Sequence, residues 1–138
     1  MDWMIGITFH SVNNLDNDVL LMNGLFLGED IEVKFWHEND CCETVRIAEI
    51  YGNLEDLTGM PIEQAECITE KSMIESGSQT WTFYKFATNK GSITIRWLGK
   101  SNGYYSEKVS CNINGKRNAR EVITNIYNKT ILKLSGVE

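Results

Sequence analysis

Apolar and polar residues largely alternate in two neighbouring segments of the chain, 31–37 and 45–51. A period of two is typical of β-strands with one buried face, so the pattern predicts an antiparallel hairpin with 38–42 as its loop. The register that opposes apolar residues pairs Phe35 with Val45 and Val33 with Ile47. That register places His37 opposite Glu43.

A second hairpin is predicted over 80–88 and 92–98, on either side of a loop at 89–91 that ends in glycine. Glycine at the last loop position suits the left-handed backbone of a three-residue hairpin loop. Matching the strand ends pairs Phe83 with Trp97 and Tyr84 with Arg96. The chain then turns at 99–103 and returns as a strand over 104–113, which completes a meander.

The remaining β segments extend this pattern. Strands are predicted over 5–12 and 19–27 around a turn at 13–14, and 62–73 is interpreted as a strand rather than a helix. Residues 53–61 are expected to form a loop or a single helical turn. Together these segments predict a mainly antiparallel β-sheet.

The last segment has a different period. Its apolar residues recur at helical spacing and predict an amphipathic helix of about four turns, with Lys and Arg on its outer face: Ala119, Val122, Ile123, Ile126 and Tyr127. The predicted fold class is therefore α+β, with a C-terminal amphipathic helix. We expect one domain over 1–138, divided into a β-rich core at 1–113 and a basic helical extension at 114–138.

Composition supports an ordinary soluble domain. The chain has 138 residues, of which 42% are hydrophobic and 23% are charged, and it shows neither a transmembrane stretch nor a signal peptide. A cytoplasmic location is expected. Cys41 and Cys42 are neighbours, and their Cα atoms, about 3.8 Å apart, are closer than the usual disulfide minimum of about 4.4 Å. All four cysteines are therefore expected to be reduced.

Charge is distributed unevenly along the chain. The net charge is −6, but residues 1–115 carry −9 and residues 116–138 carry +3. An acidic body argues against a broad nucleic-acid surface. Because the basic tail and the acidic body are complementary, we expect a contact with an acidic partner or a homo-oligomer. A solvated helix face is the alternative interpretation.

The segment 37–43 reads His-Glu-Asn-Asp-Cys-Cys-Glu and concentrates the most reactive side chains. There is no Cys-x-x-Cys pair, so neither a metal nor a cofactor is predicted. A Cys–His hydrolase or transferase remains an alternative, with Cys41 or Cys42 as nucleophile, His37 as base and Glu43 orienting the ring. The nearby acids disfavour a thiolate, which favours a structural role for the cysteines.

A ligand site is predicted in the meander. Aromatic rings stack on nucleobases, an arginine fork fits phosphate, and the amides of an Asn-Gly turn can bind an anion. Trp97 and Phe83 are assigned to the core. The expected ligand contacts are Tyr84, Arg96, Ser101, Asn102, Tyr104 and His37. This site requires the loop at 38–42 and the turn at 99–103 to converge at one rim of the β-scaffold.

Three strings in the chain are distinctive: DCCE at 40–43, WTFYK at 81–85 and SNGYYS at 101–106. With the residues around them, they resemble a family of small uncharacterised proteins from bacteriophages and bacterial genomes, catalogued as a domain of unknown function. The resemblance covers roughly residues 5–110. It implies a phage or prophage origin and brings no known activity or catalytic residues.

These observations favour a non-enzymatic, phage-associated binding protein. By analogy with small acidic phage proteins, it would sequester a nucleotide-type ligand as a counter-defence protein in the host cytoplasm. One alternative is an inhibitor that caps a host defence protein through its acidic surface. The other is the Cys–His enzyme built on the 37–43 segment.

Overall fold

The computed structural model describes residues 1–136, which form eight strands and an α-helix. The strands are β1 Thr8–Leu15, β2 Val19–Phe26, β3 Glu29–Trp36, β4 Thr44–Tyr51, β5 Gln64–Ile74, β6 Gly77–Thr88, β7 Gly91–Ser101 and β8 Ser110–Ile113, and the helix is α1 Ala119–Leu134. Short 3-10 helices span Asp2–Met4 and Leu54–Leu57. The predicted fold class is confirmed.

The strands build two antiparallel four-stranded sheets. Sheet 1 has the order β1-β2-β3-β8, and sheet 2 has the order β4-β7-β6-β5. The predicted hairpin of β3 with β4 is therefore wrong, because β3 pairs with β2 and β8 whereas β4 pairs with β7. Alternation correctly identified the buried residues of β3 and β4 that were paired in the prediction. It does not specify which strand of the chain pairs with which.

The hairpin of β6 with β7 is confirmed, but its predicted register is wrong by one residue. Thr88 pairs with Gly91, so the turn has two residues and Phe83 opposes Arg96. A shift of one residue exchanges the faces of the sheet. Tyr84 is consequently buried in the core, and Phe83, predicted to be a core residue, lies half-buried on the outer face.

Four further predictions are corrected or confirmed. The turn of the first hairpin lies after Leu15 rather than at 13–14, because β1 and β2 pair as far as Leu15 with Val19. The return strand is limited to β8, and it joins sheet 1 instead of extending the meander. The strand at β5 and the helical turn at Leu54–Leu57 are confirmed.

The core lies between the inner faces of the two sheets. Its largest fully buried side chains include Trp97, as predicted, with Phe9, Phe35 and Phe86. The rings of Phe35 and Tyr84 join the sheets, with centroids 4.7 Å apart. Burial of each large apolar side chain contributes about 2–3 kcal/mol to the free energy of unfolding.

The predicted C-terminal helix is confirmed as α1. The side chain of Asn118 accepts a hydrogen bond from the amide of Glu121 at 3.1 Å and so caps the helix start. Ala119 is buried, and Val122, Ile123 and Ile126 pack partly against the core. The second half leaves apolar side chains exposed, namely Tyr127, Ile131, Leu132 and Leu134.

Candidate functional site

Two segments cross between the sheets at the same end of the sandwich. The first crossing segment, 37–43, links β3 to β4, and the second crossing segment, 102–109, links β7 to β8. They touch where His37 Nδ1 lies 2.7 Å from the carbonyl oxygen of Lys108. The cysteine-bearing loop therefore meets the segment that follows β7, but the contact lies at Lys108 and not at the predicted turn over 99–103.

His37 and Glu43 form a buried ion pair within the first crossing segment. His37 Nε2 lies 2.9 Å from Glu43 Oε2, and the two side chains are 5% and 0% exposed. Amides of Cys41 and Asp40 also donate to the Glu43 carboxylate. These amide contacts, that of Cys41 foremost, and the His37 contact lower the pKa of Glu43 from 4.5 to about 2 despite its burial.

The predicted proximity of His37 and Glu43 is therefore confirmed, although the strand pairing from which it was derived is wrong. Both ring nitrogens face acceptors, a backbone carbonyl and an ionised carboxylate. A ring with both nitrogens occupied is not available as a base or as a ligand contact.

The prediction that all cysteines are reduced is wrong for Cys41 and Cys42, which are joined by a disulfide. The chain bends at these residues instead of running extended, so the two side chains reach the same side. Neither sulfur is a thiol, and the arrangement lacks the nucleophile that a Cys–His enzyme needs. Cys67 and Cys111 are free. Burial raises the pKa of the Cys111 thiol to about 12.

A second buried carboxylate, Glu107, holds the second crossing segment against sheet 2. It accepts hydrogen bonds from the hydroxyls of Ser78, Thr80 and Ser101 at 2.5, 2.8 and 2.5 Å. Burial would raise the pKa of Glu107, but these hydroxyls and the nearby charge of Lys71 lower it below its usual value. The ionised carboxylate therefore receives all of its side-chain hydrogen bonds in the described chain from hydroxyl groups.

Gly99 on β7 makes this contact possible. A Cβ atom at position 99 would lie 2.8 Å from both the Cβ and the carbonyl oxygen of Glu107. Only a residue without a side chain lets the second crossing segment approach the strand so closely.

The crossing segments enclose a groove of about 540 Å³ that we call the polar groove. It lies between the crossing segments and β8, and its lining is largely charged or polar: His37, Glu38, Asn39, Asp40, Glu43, Ser106, Lys108, Ser110, Cys111, Asn112 and Arg117. Arg117 lies 3.6 Å from Glu38.

A second groove, the tyrosine groove, lies on the other side of the second crossing segment and has a volume of about 480 Å³. Its floor is the inner face of β5 and β6, and its full lining is Cys67, Thr69, Lys71, Thr80, Thr82, Tyr84, Tyr105, Ser106, Glu107, Lys108 and Val109. Ser106 and Lys108 line both grooves. The two cavities therefore share one wall.

The structure does not gather the predicted ligand contacts in one groove. Tyr84 lines the tyrosine groove, where burial raises the pKa of its hydroxyl and keeps it neutral. Ser101 holds Glu107, while Asn102 accepts a hydrogen bond from the amide of Tyr104. The Tyr104 side chain is 89% exposed and lines neither groove. His37 lines the polar groove.

Arg96 is the predicted contact that the structure separates from the others. It lies on the outer face of sheet 2, where it donates to Glu49 at 2.8 Å and its guanidinium carbon is 4.4 Å from the Trp81 ring centroid. Contacts with Tyr51 and Glu49 raise its pKa. Neighbouring residues of a strand face opposite sides of the sheet. In the observed register Arg96 lies opposite Phe83 on the outer face, whereas Tyr84 faces the core.

Sequence reasoning missed the groove residues Lys71 and Lys108. Lys71 alternates with Cys67 and Thr69 on the inner face of β5, a signal visible in the sequence. It was missed because an inward-facing lysine makes sense only if no strand covers that part of β5, which the sequence does not show.

The fold and the grooves define a two-sheet β-sandwich with lateral cavities at the crossing segments. Within residues 1–136 no helix is long and apolar enough to cross a membrane, and no cluster of His, Cys, Asp and Glu is placed to hold a metal ion. The chain belongs to the family described as domain of unknown function DUF7448, whose profile matches residues 6–111. No curated protein and no solved structure shows significant similarity.

Proposed function

We propose that this chain is a non-enzymatic binding protein that sequesters a nucleotide-type anion in the tyrosine groove. The observation that carries the proposal is the chemistry of the groove lining. Tyrosine rings, threonine hydroxyls and lysine side chains converge on a cavity that no strand of sheet 1 covers.

Each part of the lining matches one part of a nucleotide. The half-buried Tyr105 ring offers a stacking surface to a base, which contributes about 1–3 kcal/mol. Lys71 and Lys108 offer ammonium groups to a phosphate, and neither forms a salt bridge within the described chain. Thr69, Thr80 and Thr82 can donate to or accept from sugar and base groups.

Glu107 at the edge of the groove does not oppose an anionic ligand strongly. Its carboxylate is already stabilised by three hydroxyl donors that point toward it. The two lysines give the groove a net positive charge after Glu107 is counted. The volume of about 480 Å³ lies within the range of about 300–1,000 Å³ that is usual for small-molecule sites.

The biological part of the proposal rests on the resemblance to phage proteins. A phage-encoded chain that traps a nucleotide signal in the host cytoplasm would act as a counter-defence protein, with no chemical step required. The competing function, capping of a host defence protein through the acidic body, is favoured only by the charge of −9 over residues 1–115.

Thermal unfolding with a panel of linear and cyclic nucleotides tests the proposal. A ligand at 100 times its Kd should add about 2.7 kcal/mol to the free energy of unfolding. Lys71→Ala and Tyr105→Ala should each weaken binding at least about tenfold, a loss of about 1.4 kcal/mol. Lys85→Ala, on the outer face of β6, is the matched control and should bind as the unmodified chain does.

The absence of any shift across the panel would overturn the nucleotide proposal. If the chain then captures a host protein from lysate, and salt releases that protein, the capping function replaces it. Equal loss of binding in the Lys85→Ala control would show that the tyrosine groove is not the site.

A further inference from the structure

Strand β5 is a long edge strand with little cover. Its eleven residues pair with β6 in one unbroken ladder, and its other edge pairs with no strand within residues 1–136. Only Ala65 is buried. Ile68 and Met73 are 43% and 76% exposed.

Such an edge normally carries features that prevent pairing with another chain. Proline, a bulge, a very short strand, a covering loop and charged side chains, especially inward-facing ones, are the usual protections. β5 has no proline and no bulge, and the 3-10 helix Asp2–Met4 contacts it. The protection that it does carry is charge, namely Glu66, Glu70 and the inward-facing Lys71, so a partner strand must pair without opposing like charges. An exposed, regular edge of this length is a template for another strand.

We propose that β5 pairs antiparallel with β5 of a second copy, about a two-fold axis that passes through Thr69. The two copies of sheet 2 then form one continuous sheet, and the partner strand has the same sequence as the strand it joins. This inference is independent of the ligand proposed for the tyrosine groove.

The charges along β5 select this register. With Thr69 on the axis, all eleven residues are paired, from Gln64 opposite the partner's Ile74 onward. No like charges are then opposed, because Glu66 faces the partner's Ser72 and Glu70 faces the partner's Ile68.

Neighbouring registers are less favourable. An axis at Glu70 or Lys71 places identical charges opposite each other, and an axis at Ile68 places Glu66 opposite the partner's Glu70. Directly opposed like charges destabilise a strand pair. The register that pairs the most residues is thus also one in which no like charges face each other.

The pairing would also change the tyrosine groove. Cys67, Thr69 and Lys71 project from β5 into that groove. In the proposed register the partner's Lys71 lies opposite Cys67, so each groove gains a lysine at its open side, and the two grooves meet at the axis.

Light scattering after size-exclusion chromatography and disulfide trapping test the interface. The unmodified chain should have twice the monomer mass. In a Cys67→Ser background, Thr69→Cys should form a covalent dimer under mild oxidation, because the two Cβ atoms would lie about 4.5–5.5 Å apart. Ser72→Cys is the matched control on the same exposed strand. Its two copies would lie about 20 Å apart, six strand positions away, and should not crosslink.

A monomeric mass at every concentration would overturn the proposal. A dimer in which Thr69→Cys fails to crosslink, or crosslinks no better than Ser72→Cys, would also overturn it and would assign the interface to another surface. Neither result would affect nucleotide binding measured on the monomer.

Discussion

Two buried carboxylates hold the two crossing segments, and they are compensated by different chemistry. Glu43 contacts the His37 ring and accepts hydrogen bonds from backbone amides of its own loop. Glu107 has hydroxyl donors from β6 and β7 and no cation within hydrogen-bonding distance in the described chain. The first carboxylate therefore organises a loop, whereas the second attaches a loop to a sheet.

The difference predicts which contact stabilises the whole sandwich. Donors to Glu107 lie 6 to 29 residues away along the chain, so that carboxylate links parts of the fold that are distant in sequence. The amide donors to Glu43 come from residues two and three positions away. Loss of Glu107 should therefore cost more global stability than loss of Glu43.

The largest effect is expected for Glu107→Ala. The change leaves the hydroxyls of Ser78, Thr80 and Ser101 without their acceptor and should lower the free energy of unfolding by about 3 kcal/mol. Urea denaturation measures this loss. Glu66→Ala, at an exposed position on the outer face of sheet 2, is the control and should change stability by less than about 0.5 kcal/mol. Similar losses in both variants would contradict the assigned role of Glu107.

A smaller loss of stability, present above pH 4.5 and vanishing as the pH falls toward 2, is expected for Glu43→Gln. Because folding lowers the pKa of Glu43 from 4.5 to about 2, ionised Glu43 stabilises the fold above pH 4.5, and this contribution is lost as the pH falls toward 2. Glu107, whose pKa is also lowered, adds to the same acid sensitivity. The unfolding free energy measured from neutral pH downward should therefore fall less steeply in Glu43→Gln than in the unmodified chain. Parallel curves would show that Glu43 is not the titrating group.

The smallest effect is expected for Arg96→Ala on the outer face of sheet 2. Its contacts with Glu49 and the Trp81 ring lie at a partly exposed surface, so the free energy of unfolding should fall by about 1 kcal/mol or less. Nucleotide binding in the tyrosine groove should be unchanged. Calorimetric titration of the variant with the nucleotide checks this. Weakened binding would indicate that Arg96 contacts the ligand.

The sequence was sufficient to predict most of the strands, because alternation follows from burial on one side of a sheet. It could not predict that β3 and β4 belong to different sheets, since an apolar face accepts any apolar partner. His37 and Glu43 were nevertheless placed together, because only a short loop separates them in either arrangement.

The ligand site was predicted incorrectly because the length of the turn between β6 and β7 was wrong. A three-residue loop ending in Gly91 and a two-residue turn before it are both compatible with the sequence, and they differ by one residue in register. That residue decides whether Tyr84 or Phe83 faces the core. The tyrosine groove also depends on the part of β5 that sheet 1 leaves uncovered, and the alternation within β5 does not specify what lies over that strand.

The shared wall of Ser106 and Lys108 has a mechanical consequence for the cavities on either side of it. The partition is a single chain thick and is fixed at Glu107, midway between these residues. Displacement of this wall from one side therefore changes the width of the opposite cavity as well.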